Sequence, residues 1–500
     1  MARRLTPGSI AKELFGIDPD RDERASQLCA ETLLTLAQNG YRAPADADQL
    51  VTPKRERFAL RSLALGTNFL DMVEDGRVGD EDTTPQRYGA ELATGADIRG
   101  SRNLALARDA LQGLIDPETH QGQAGGWLLF PFHESLLWYD ARRERARPWR
   151  VRKVYMRGSG ITLARMLLQP DAGDEASRLG ASAVAAIRTM LQGPSPVAQI
   201  ADQLESALPE RTVPATEPDE KDAWTRGASP GLADLTQRVC RHAEGVMLQG
   251  TASGPARLWQ LRTILALDLA SNALRTAWET ANTPLREQFL LLSFGGSPRA
   301  ENRLRQRAET AYQQARLRLQ LATVATLAKA MERVAQEGHV DWSDELENRL
   351  DRMRAVIDGL DEADGSGDYE RLARLASETA DYGRATEGFR VLLDTIGVLA
   401  GTGAYRYTTA TPDLLGALVG ALSSRMPMTS HEFFDALYSE WGLVIGQDQA
   451  AHTALVDQVD GAELERNARR AELLMADAGL ALNLSDRTVI VGERAKREAL

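Results

Sequence analysis

The chain contains little cysteine and no long apolar run. Two of its 500 residues are cysteine, Cys29 and Cys240, and they lie far apart without forming a metal-type pair. This excludes a disulfide scaffold and favours a reducing compartment. No apolar run reaches the roughly 20 residues of a membrane span, and MARRLTPGSIAKELFG lacks the apolar stretch of a signal peptide. We therefore expect a cytoplasmic protein with no membrane partner.

The chain also lacks the positive charge that is usual for a dedicated DNA-binding protein. Its formal net charge is -12, with 43% hydrophobic and 26% charged residues. Binding to nucleic acid depends largely on neutralising phosphates, so contacts with nucleic acid must be local, as in one basic groove. The composition is that of a globular protein of two to four domains. Many Arg and Ala residues beside few Lys suggest a bacterial origin.

Catalytic signatures are mostly absent. The chain has no nucleophile elbow, dinucleotide fingerprint or EF-hand register. The His-Glu pairs at 133–134 and 431–432 begin like zinc motifs but lack the second His, and Cys240 and His242 have no further ligands nearby. The acidic stretch 361–370 does not match a calcium loop. We predict no catalytic residue, metal or cofactor, with a metal-dependent nuclease of dispersed acidic ligands as the alternative.

Helical periodicity predicts a mainly α, multi-domain fold. Helices are expected at 24–38, 54–74, 255–282, 300–336, 343–359 and 367–399, and in SGITLARMLL after Gly158. Four prolines and the lack of an apolar period mark 209–231 as a linker or long loop. The predicted layout is an N-terminal helical domain (1–208), this linker, a second helical domain (232–403) and a C-terminal module (404–500).

A small β element is predicted near 126–157, where GWLLFP and WRVRKVYM carry the residues that strands prefer. The same region contains the basic stretch 141–157, ARRERARPWRVRKVYMR. Its positive residues are Arg142, Arg143, Arg145, Arg147, Arg150, Arg152, Lys153 and Arg157. Clustered arginines give bidentate phosphate contacts, and Trp or Tyr rings can stack on unpaired bases.

This basic stretch is predicted to bind nucleic acid. In a strand over 149–156, alternation would divide the positive charges between two faces, so not every arginine could reach one ligand. The alternative is a solvated basic turn that pairs with acidic loops such as 79–82.

A second candidate lies in SFGGSPRAENRLRQR, where three arginines spaced by four residues line one side of a helix start. They are Arg299, Arg303 and Arg307. The Gly295-Gly296 pair and the amides of the helix N-terminus could hold a phosphate, although no P-loop lysine follows. The alternative is a turn and a helix salt-bridged through Glu301 and Glu309. Two Arg-rich sites in one chain favour a shared groove for nucleic acid.

Asp268 is the most unusual single acid, because it lies inside the apolar pattern of 255–282. A buried charge must be paired. We expect a partner such as Arg262 or Arg275. A functional site is the alternative.

The C-terminal module contains clear helix signals. Thr411 before Pro412 is an expected N-cap, and Thr429 with Glu432 has capping-box spacing before a stop at Gly442. A third helix is expected at 461–478. It is followed by a hairpin in LALNLSDRTVIVGE.

Helices followed by a terminal hairpin resemble a winged-helix domain. The resemblance implies that the third helix could enter the major groove, with the hairpin as the wing. That helix carries Arg466, Arg469 and Arg470, but three glutamates, Glu463, Glu465 and Glu472, cancel their charge. Protein contact is therefore favoured over base reading for this module.

Two stretches, LLSFGGSPRAENRLRQRAETAYQQARLRLQ and TPDLLGALVGALSSRMPMTSHEFFDALYSEWGLVIG, resemble accessory proteins encoded beside ATPases and helicases in bacterial DNA-defence gene clusters. This resemblance implies an adaptor subunit that works on DNA with partner enzymes. A purely structural subunit whose arginines meet acidic protein surfaces stays the third possibility.

Overall fold

In the computed structural model the chain divides into two compact units. The described residues are 24–43, 131, 133–137, 141–144, 147–153, 158–170, 172–194, 232–250, 252–295, 303–336, 351, 354, 355, 358, 383–424, 426–485 and 488–492. The larger unit comprises Met1–Ala25, Gln169–Ala183 and Ala228–Leu500, and the smaller unit comprises Ser26–Leu168 and Val184–Gly227. The predicted domains 232–403 and 404–500 thus belong to one unit.

The described part of the chain is mainly helical, as its periodicity predicts. Its first helices are α1 Ala25–Gln38, α2 Ser159–Leu168 and α3 Asp174–Leu191, followed by α4 Ala233–Leu248, α5 Gly254–Thr280 and α6 Arg303–Gln336. These are followed by α7 Gly383–Thr395, α8 Pro412–Ser423, α9 Ser430–Trp441, α10 Gln447–Ala450 and α11 Gly461–Asp477. None of the described helices is both long and apolar enough to cross a membrane. The predicted helix 54–74 lies outside the described residues.

The smaller unit joins α1 to the start of α2 through a buried acid. The carboxylate of Glu31, almost fully buried on α1, accepts hydrogen bonds from the amides of Gly158 at 3.0 Å and Gly160 at 2.8 Å. A negative charge is favourable at a helix N-terminus, where amides lack intrahelical partners. A Cβ at Gly160 would lie 2.6 Å from the backbone oxygen of Leu28, so only glycine permits this close approach.

A two-stranded hairpin interrupts the helices of the smaller unit. It consists of β1 Ala141–Glu144 and β2 Arg147–Lys153, which pair antiparallel with a register shift between residues 142 and 144. The expected β element near 126–157 is therefore present, although residues 126–130 lie outside the described ranges.

Helix α5 forms the centre of the larger unit. It packs against α4, α6, α7 and α8, and its buried leucines and alanines leave little polar surface. Pro255 lies in the first turn of the helix, after the N-cap Ser253, whose side chain accepts a hydrogen bond from the amide of Ala256. Because neighbours surround it on several sides, α5 is apolar almost all round rather than on one face. The predicted buried helix 255–282 is confirmed.

The helix predicted over 367–399 ends earlier than expected. Helix α7 stops at Thr395, and Gly397 follows with φ of +78°, a conformation that glycine adopts without strain. Leu399 and Ala400 then form β4, which pairs antiparallel with β5, Tyr407–Thr408. The helix prediction was wrong here because a glycine turn and a strand partner compete with apolar periodicity.

Short strands connect the C-terminal module to the rest of the larger unit. Strand β3, Leu290–Leu291, pairs in parallel with β7, Leu443–Val444. In the module itself, β6 Met428–Thr429, β9 Thr488–Val491 and β8 Ala481–Ser485 form an antiparallel sheet in that order. The hairpin predicted in LALNLSDRTVIVGE is confirmed.

The predicted helix signals of this module are confirmed as well. Thr411 accepts from the amide of Leu414 and caps α8. Thr429 and Glu432 form both bonds of a capping box at the start of α9, and Gly442 ends that helix with φ of +70°.

Candidate functional site

The arginines of the basic stretch lie on the two strands of the hairpin. Arg142 and Arg143 belong to β1, and the other strand residues, Arg147, Arg150, Arg152 and Lys153, belong to β2. Arg145 and Arg157 lie outside the described residues. Arg142 is the register partner of Arg152.

The second predicted row is only partly described. Arg299 lies outside the described residues, whereas Arg303 and Arg307 are exposed on the first turns of α6. Within the described ranges, neither forms an ion pair. Glu309, the salt-bridge partner of the alternative interpretation, is buried. Both arginines therefore present guanidinium groups to solvent.

The apolar side of α6 fixes the orientation of this row. Leu304, Ala308 and Ala311 lie in one core cluster with Val444 of β7 and Leu464 of α11. Because residues four apart share a helix face, the arginines at 303 and 307 point away from this core together. The start of α6 is thus anchored to the C-terminal module.

Helix α11 is fixed to the same region by a buried amide. Asn467 donates to the backbone oxygens of Leu292 at 2.8 Å and Ile445 at 2.9 Å, and it accepts from the amide of Phe294 at 2.8 Å. These bonds join α11 to the segments that follow β3 and β7. A fully satisfied buried amide of this kind specifies how the segments pack.

Of the three arginines on α11, two bind a described residue and Arg466 does not. Arg469 pairs with Glu472 at 3.1 Å, and Arg470 donates to the backbone oxygen of Phe294 at 3.4 Å. Arg466 is exposed and forms no contact of this kind within the described ranges. On the same helix Leu473 is 46% exposed, and Leu484 of the hairpin is 55% exposed. The exposed surface of the module therefore combines apolar, positively charged and negatively charged residues.

A buried polar cluster joins α4, α5 and α9, and we call it the histidine cluster. His242 of α4 and Asp268 of α5 are both fully buried. Nδ1 of His242 lies 2.9 Å from Oδ1 of Asp268, and the indole N–H of Trp441 donates to the same oxygen at 2.8 Å. The rings of His242 and Trp441 are in contact, with their centroids 4.6 Å apart. Three helices thus meet at one carboxylate.

The other ring nitrogen of His242 faces a second carboxylate. Nε2 lies 3.5 Å from Oε2 of Glu440, within ion-pair distance but without hydrogen-bond geometry. Arg241 donates to that same oxygen at 2.6 Å. Burial alone would lower the pKa of His242, but Asp268 and Glu440 outweigh it and raise this pKa. Burial would raise the pKa of Glu440, but His242 and Arg241 lower it to about 2.

Two further arginines bind the last turn of α9. Arg275 donates to the backbone oxygens of Ser439 at 2.8 Å and Glu440 at 2.6 Å, and Arg238 donates to that of Glu440 at 3.2 Å. Burial lowers the pKa of Arg275, and the charge of Arg238 lowers it further. The last carbonyls of a helix lack intrahelical partners and attract cations. The arginines therefore satisfy the end of α9.

The geometry of the histidine cluster is that of a structural contact between helices, not of a catalytic site. A general acid or base must come within hydrogen-bond reach of a substrate proton. Both nitrogens of His242 instead face carboxylates of the protein, and the ring has no exposed surface. The cluster therefore positions α9 of the C-terminal module on α4 and α5.

The predicted partner of Asp268 was wrong. We expected Arg262 or Arg275, but the hydrogen bonds of this carboxylate come from His242 and Trp441. Arg275 binds carbonyls of α9, and Arg262 donates to the backbone oxygen of Thr395 at 3.3 Å. The sequence marked Asp268 and His242 as separate features, and no spacing rule links residues on two adjacent helices.

The zinc-like pairs have structural contacts. Glu134 accepts from Tyr41 at 3.1 Å and from Gln192 at 2.9 Å. His431 lies 2.7 Å from Asp448. Among the residues that the structure describes, no three His, Cys, Asp or Glu side chains are grouped to hold a metal ion. The acidic stretch 361–370 lies outside them.

The thiol of Cys240 is not an activated nucleophile. It is buried on α4, and this burial raises its pKa to about 12. A reactive cysteine needs an accessible thiolate with a lowered pKa.

Comparison with protein-family models, with curated proteins and with solved structures found no match.

Proposed function

We propose that this chain is a non-catalytic accessory subunit of a bacterial DNA-processing or anti-phage defence complex. It binds nucleic acid, with DNA as the proposed ligand, through exposed arginines. Its C-terminal module, 404–500, docks a partner protein such as an ATPase or helicase. The exposed pair Arg303 and Arg307 carries the first part of this proposal.

These two arginines meet the requirements of a phosphate contact. They are exposed, lie one helical turn apart and form no ion pair with a described residue. A guanidinium group offers five donors and stays charged, so an unbound pair can contact successive phosphates. The packing of α6 against the core fixes the backbone positions of both residues. Such preorganisation reduces the entropy that is lost on binding.

The arginine-rich hairpin supports the same proposal. Arg142 lies opposite Arg152 in the ladder, and Arg150 shares the face of Arg152 by strand alternation. A nucleic-acid backbone supplies anions at regular spacing.

The partner-docking part rests on the C-terminal module. Its order of helix, strand, helices and hairpin supports the winged-helix interpretation. A base-reading helix would carry several unbound basic or amide side chains. Helix α11 instead has Arg466 beside glutamates and the half-exposed Leu473, and the hairpin adds Leu484. Such a surface suits a protein partner better than a DNA groove.

Fluorescence anisotropy with labelled single- and double-stranded oligonucleotides tests this function. We expect the wild-type protein to bind at low salt. The double variant Arg303→Ser/Arg307→Ser should bind at least tenfold more weakly, because each lost phosphate contact removes a released counterion. A hairpin variant with Ser at 145, 147, 150 and 152 should weaken binding too.

The matched control is Arg286→Ser/Arg354→Ser, which makes the same change in net charge at two exposed arginines. Both control arginines are already paired, Arg286 with Asp457 and Arg354 with Asp351. Their loss should leave binding nearly unchanged. If both double variants weakened binding equally, the loss would reflect net charge and not a contact at 303 and 307. If the wild-type protein did not bind, the proposed nucleic-acid function would be refuted.

A further inference from the structure

A second polar cluster in the larger unit lies around a buried tyrosine, and we call it the tyrosine cluster. Tyr312 and Arg316 come from α6, and Arg406 comes from the segment before β5. The remaining members, Glu387, Arg390 and Asp394, are on α7. The phenol of Tyr312 is fully buried, and this burial raises its pKa to about 12 against the opposing charges of the three arginines.

The charged members form one chain of ion pairs. Glu387 bridges Arg316 at 3.7 Å and Arg390 at 2.7 Å. Asp394 bridges Arg390 at 3.4 Å and Arg406 at 2.9 Å. Three guanidinium groups thus share two carboxylates, so the chain of ion pairs carries one surplus positive charge.

The cluster also contains buried donors that no described residue satisfies. Three of its buried donor atoms have no hydrogen-bond partner in the part of the chain that the structure describes: Tyr312 Oη, Arg316 Nε and Arg406 Nη1. The last lies within ion-pair distance of Asp394, but the angle does not make a hydrogen bond. Buried donors are paired in almost all native proteins, and an unpaired group marks a place where an unseen partner belongs.

We propose that the tyrosine cluster binds a phosphate group, either as inorganic phosphate or as the phosphate monoester of a mononucleotide. An anion with several acceptor oxygens matches these three donors, two from α6 and one from the segment before β5. Guanidinium groups bind phosphate in bidentate geometry. The surplus positive charge of the cluster favours an anion over a water molecule. This site is separate from Arg303 and Arg307 and does not depend on the proposed nucleic-acid function.

The two carboxylates control access to this site. The side chains of Glu387 and Asp394 are 38% and 39% exposed, whereas Tyr312 is fully buried. A phosphate enters when Glu387 turns toward solvent, because the anion then takes over its arginine partners. Glu387 is therefore a competitor of the ligand, and removing its charge should strengthen binding.

Isothermal titration of the intact protein with inorganic phosphate and with AMP, at constant ionic strength, tests the proposal. We expect saturable binding of at least one ligand, and the tighter one identifies the source of the phosphate. Tyr312→Phe keeps the ring and removes one donor, so it should weaken binding about tenfold. Glu387→Gln should tighten binding severalfold. Glu279→Gln, the same charge change at an exposed site on α5, should leave it unchanged.

Two outcomes would overturn this assignment. One is the absence of saturable binding of either ligand by wild-type protein with native circular dichroism. The other is binding that neither Tyr312→Phe nor Glu387→Gln alters, which would place the phosphate elsewhere. Because Glu387 is partly exposed, its variant should fold even if the buried Tyr312→Phe variant does not.

Discussion

Arginines in two parts of the larger unit differ in what their guanidinium groups bind. In the histidine cluster, Arg241 binds the carboxylate of Glu440, and Arg238 and Arg275 bind the backbone end of α9. At the start of α6, Arg303 and Arg307 are exposed and form no ion pair with any described residue. The first set holds helices together, whereas the guanidinium groups of the second set are exposed to solvent.

This difference shows why a run of arginines in a sequence does not by itself identify a binding surface. The arginine at 241 lies between Cys240 and His242, and this spacing predicts no partner for its guanidinium group. Its role depends on Glu440, which lies 199 positions along the chain. Partners so far apart in sequence decide which guanidinium groups are occupied.

The largest effect is expected from Asp268→Asn in the histidine cluster. The variant leaves the buried His242 without its closest counter-charge, so we expect the free energy of unfolding to fall by about 3 kcal/mol. Urea denaturation measures this change. Asp457→Asn is the control, because this exposed acid pairs with Arg286 at the surface and its loss should cost less than about 1 kcal/mol. Equal effects of the two variants would contradict the structural role.

The histidine cluster should also make stability depend on pH. The raised pKa of His242 means that its contribution is complete below the unfolded value of 6.5 and is lost as pH rises through the higher folded pKa. Glu440 has the opposite pH dependence, because its pKa is lowered. Its contribution to stability is complete above pH 4.5 and is lost as the pH falls toward its folded pKa of about 2. The stability difference between wild type and His242→Gln should therefore shrink as urea titrations move from pH 6 to pH 9. A constant difference would argue against a protonated His242.

A smaller loss of stability is expected when an arginine that already binds a carboxylate in the histidine cluster is replaced. Arg241→Gln removes a 2.6 Å contact with Glu440. Because the side chain of Arg241 is 42% exposed, we expect a loss of only about 0.5–1 kcal/mol. Nucleic-acid affinity should not change. A large loss of affinity would place Arg241 on the binding surface and remove the contrast between the two sets.

The smallest effect on stability is expected from Arg303→Ser/Arg307→Ser. Substitutions of exposed side chains without partners usually change the unfolding free energy by no more than about 0.5 kcal/mol. A melting curve that matches wild type would show that any loss of DNA binding is local. A clear destabilisation would mean that the two arginines bind protein groups.

Local features of this fold could be predicted because their causes are local. The capping box of Thr429 and Glu432, the Pro412 helix start and the buried helix α5 each depend on neighbouring residues. The parallel pairing of Leu290 with Leu443 could not be predicted. Two-residue strands give no period-2 pattern, and their partners are set by packing.

The candidate sites were predictable only in part. The spacing of Arg303 and Arg307 placed them on one side of a helix, but their exposure follows from the burial of Leu304 against Leu464. The pairing of Asp268 with His242 and the unpaired phenol of Tyr312 have no sequence signal. Both arise where residues from separate helices meet.

The most direct test of the proposed function is the salt dependence of DNA affinity for the wild-type protein and for Arg303→Ser/Arg307→Ser. Each phosphate contact contributes about 0.9 to the slope of log affinity against log salt concentration on duplex DNA. If both arginines contact phosphate, the slope of the double variant should be smaller by about 2, and Arg286→Ser/Arg354→Ser should keep the wild-type slope. Identical slopes for all three proteins would contradict a phosphate contact at the start of α6.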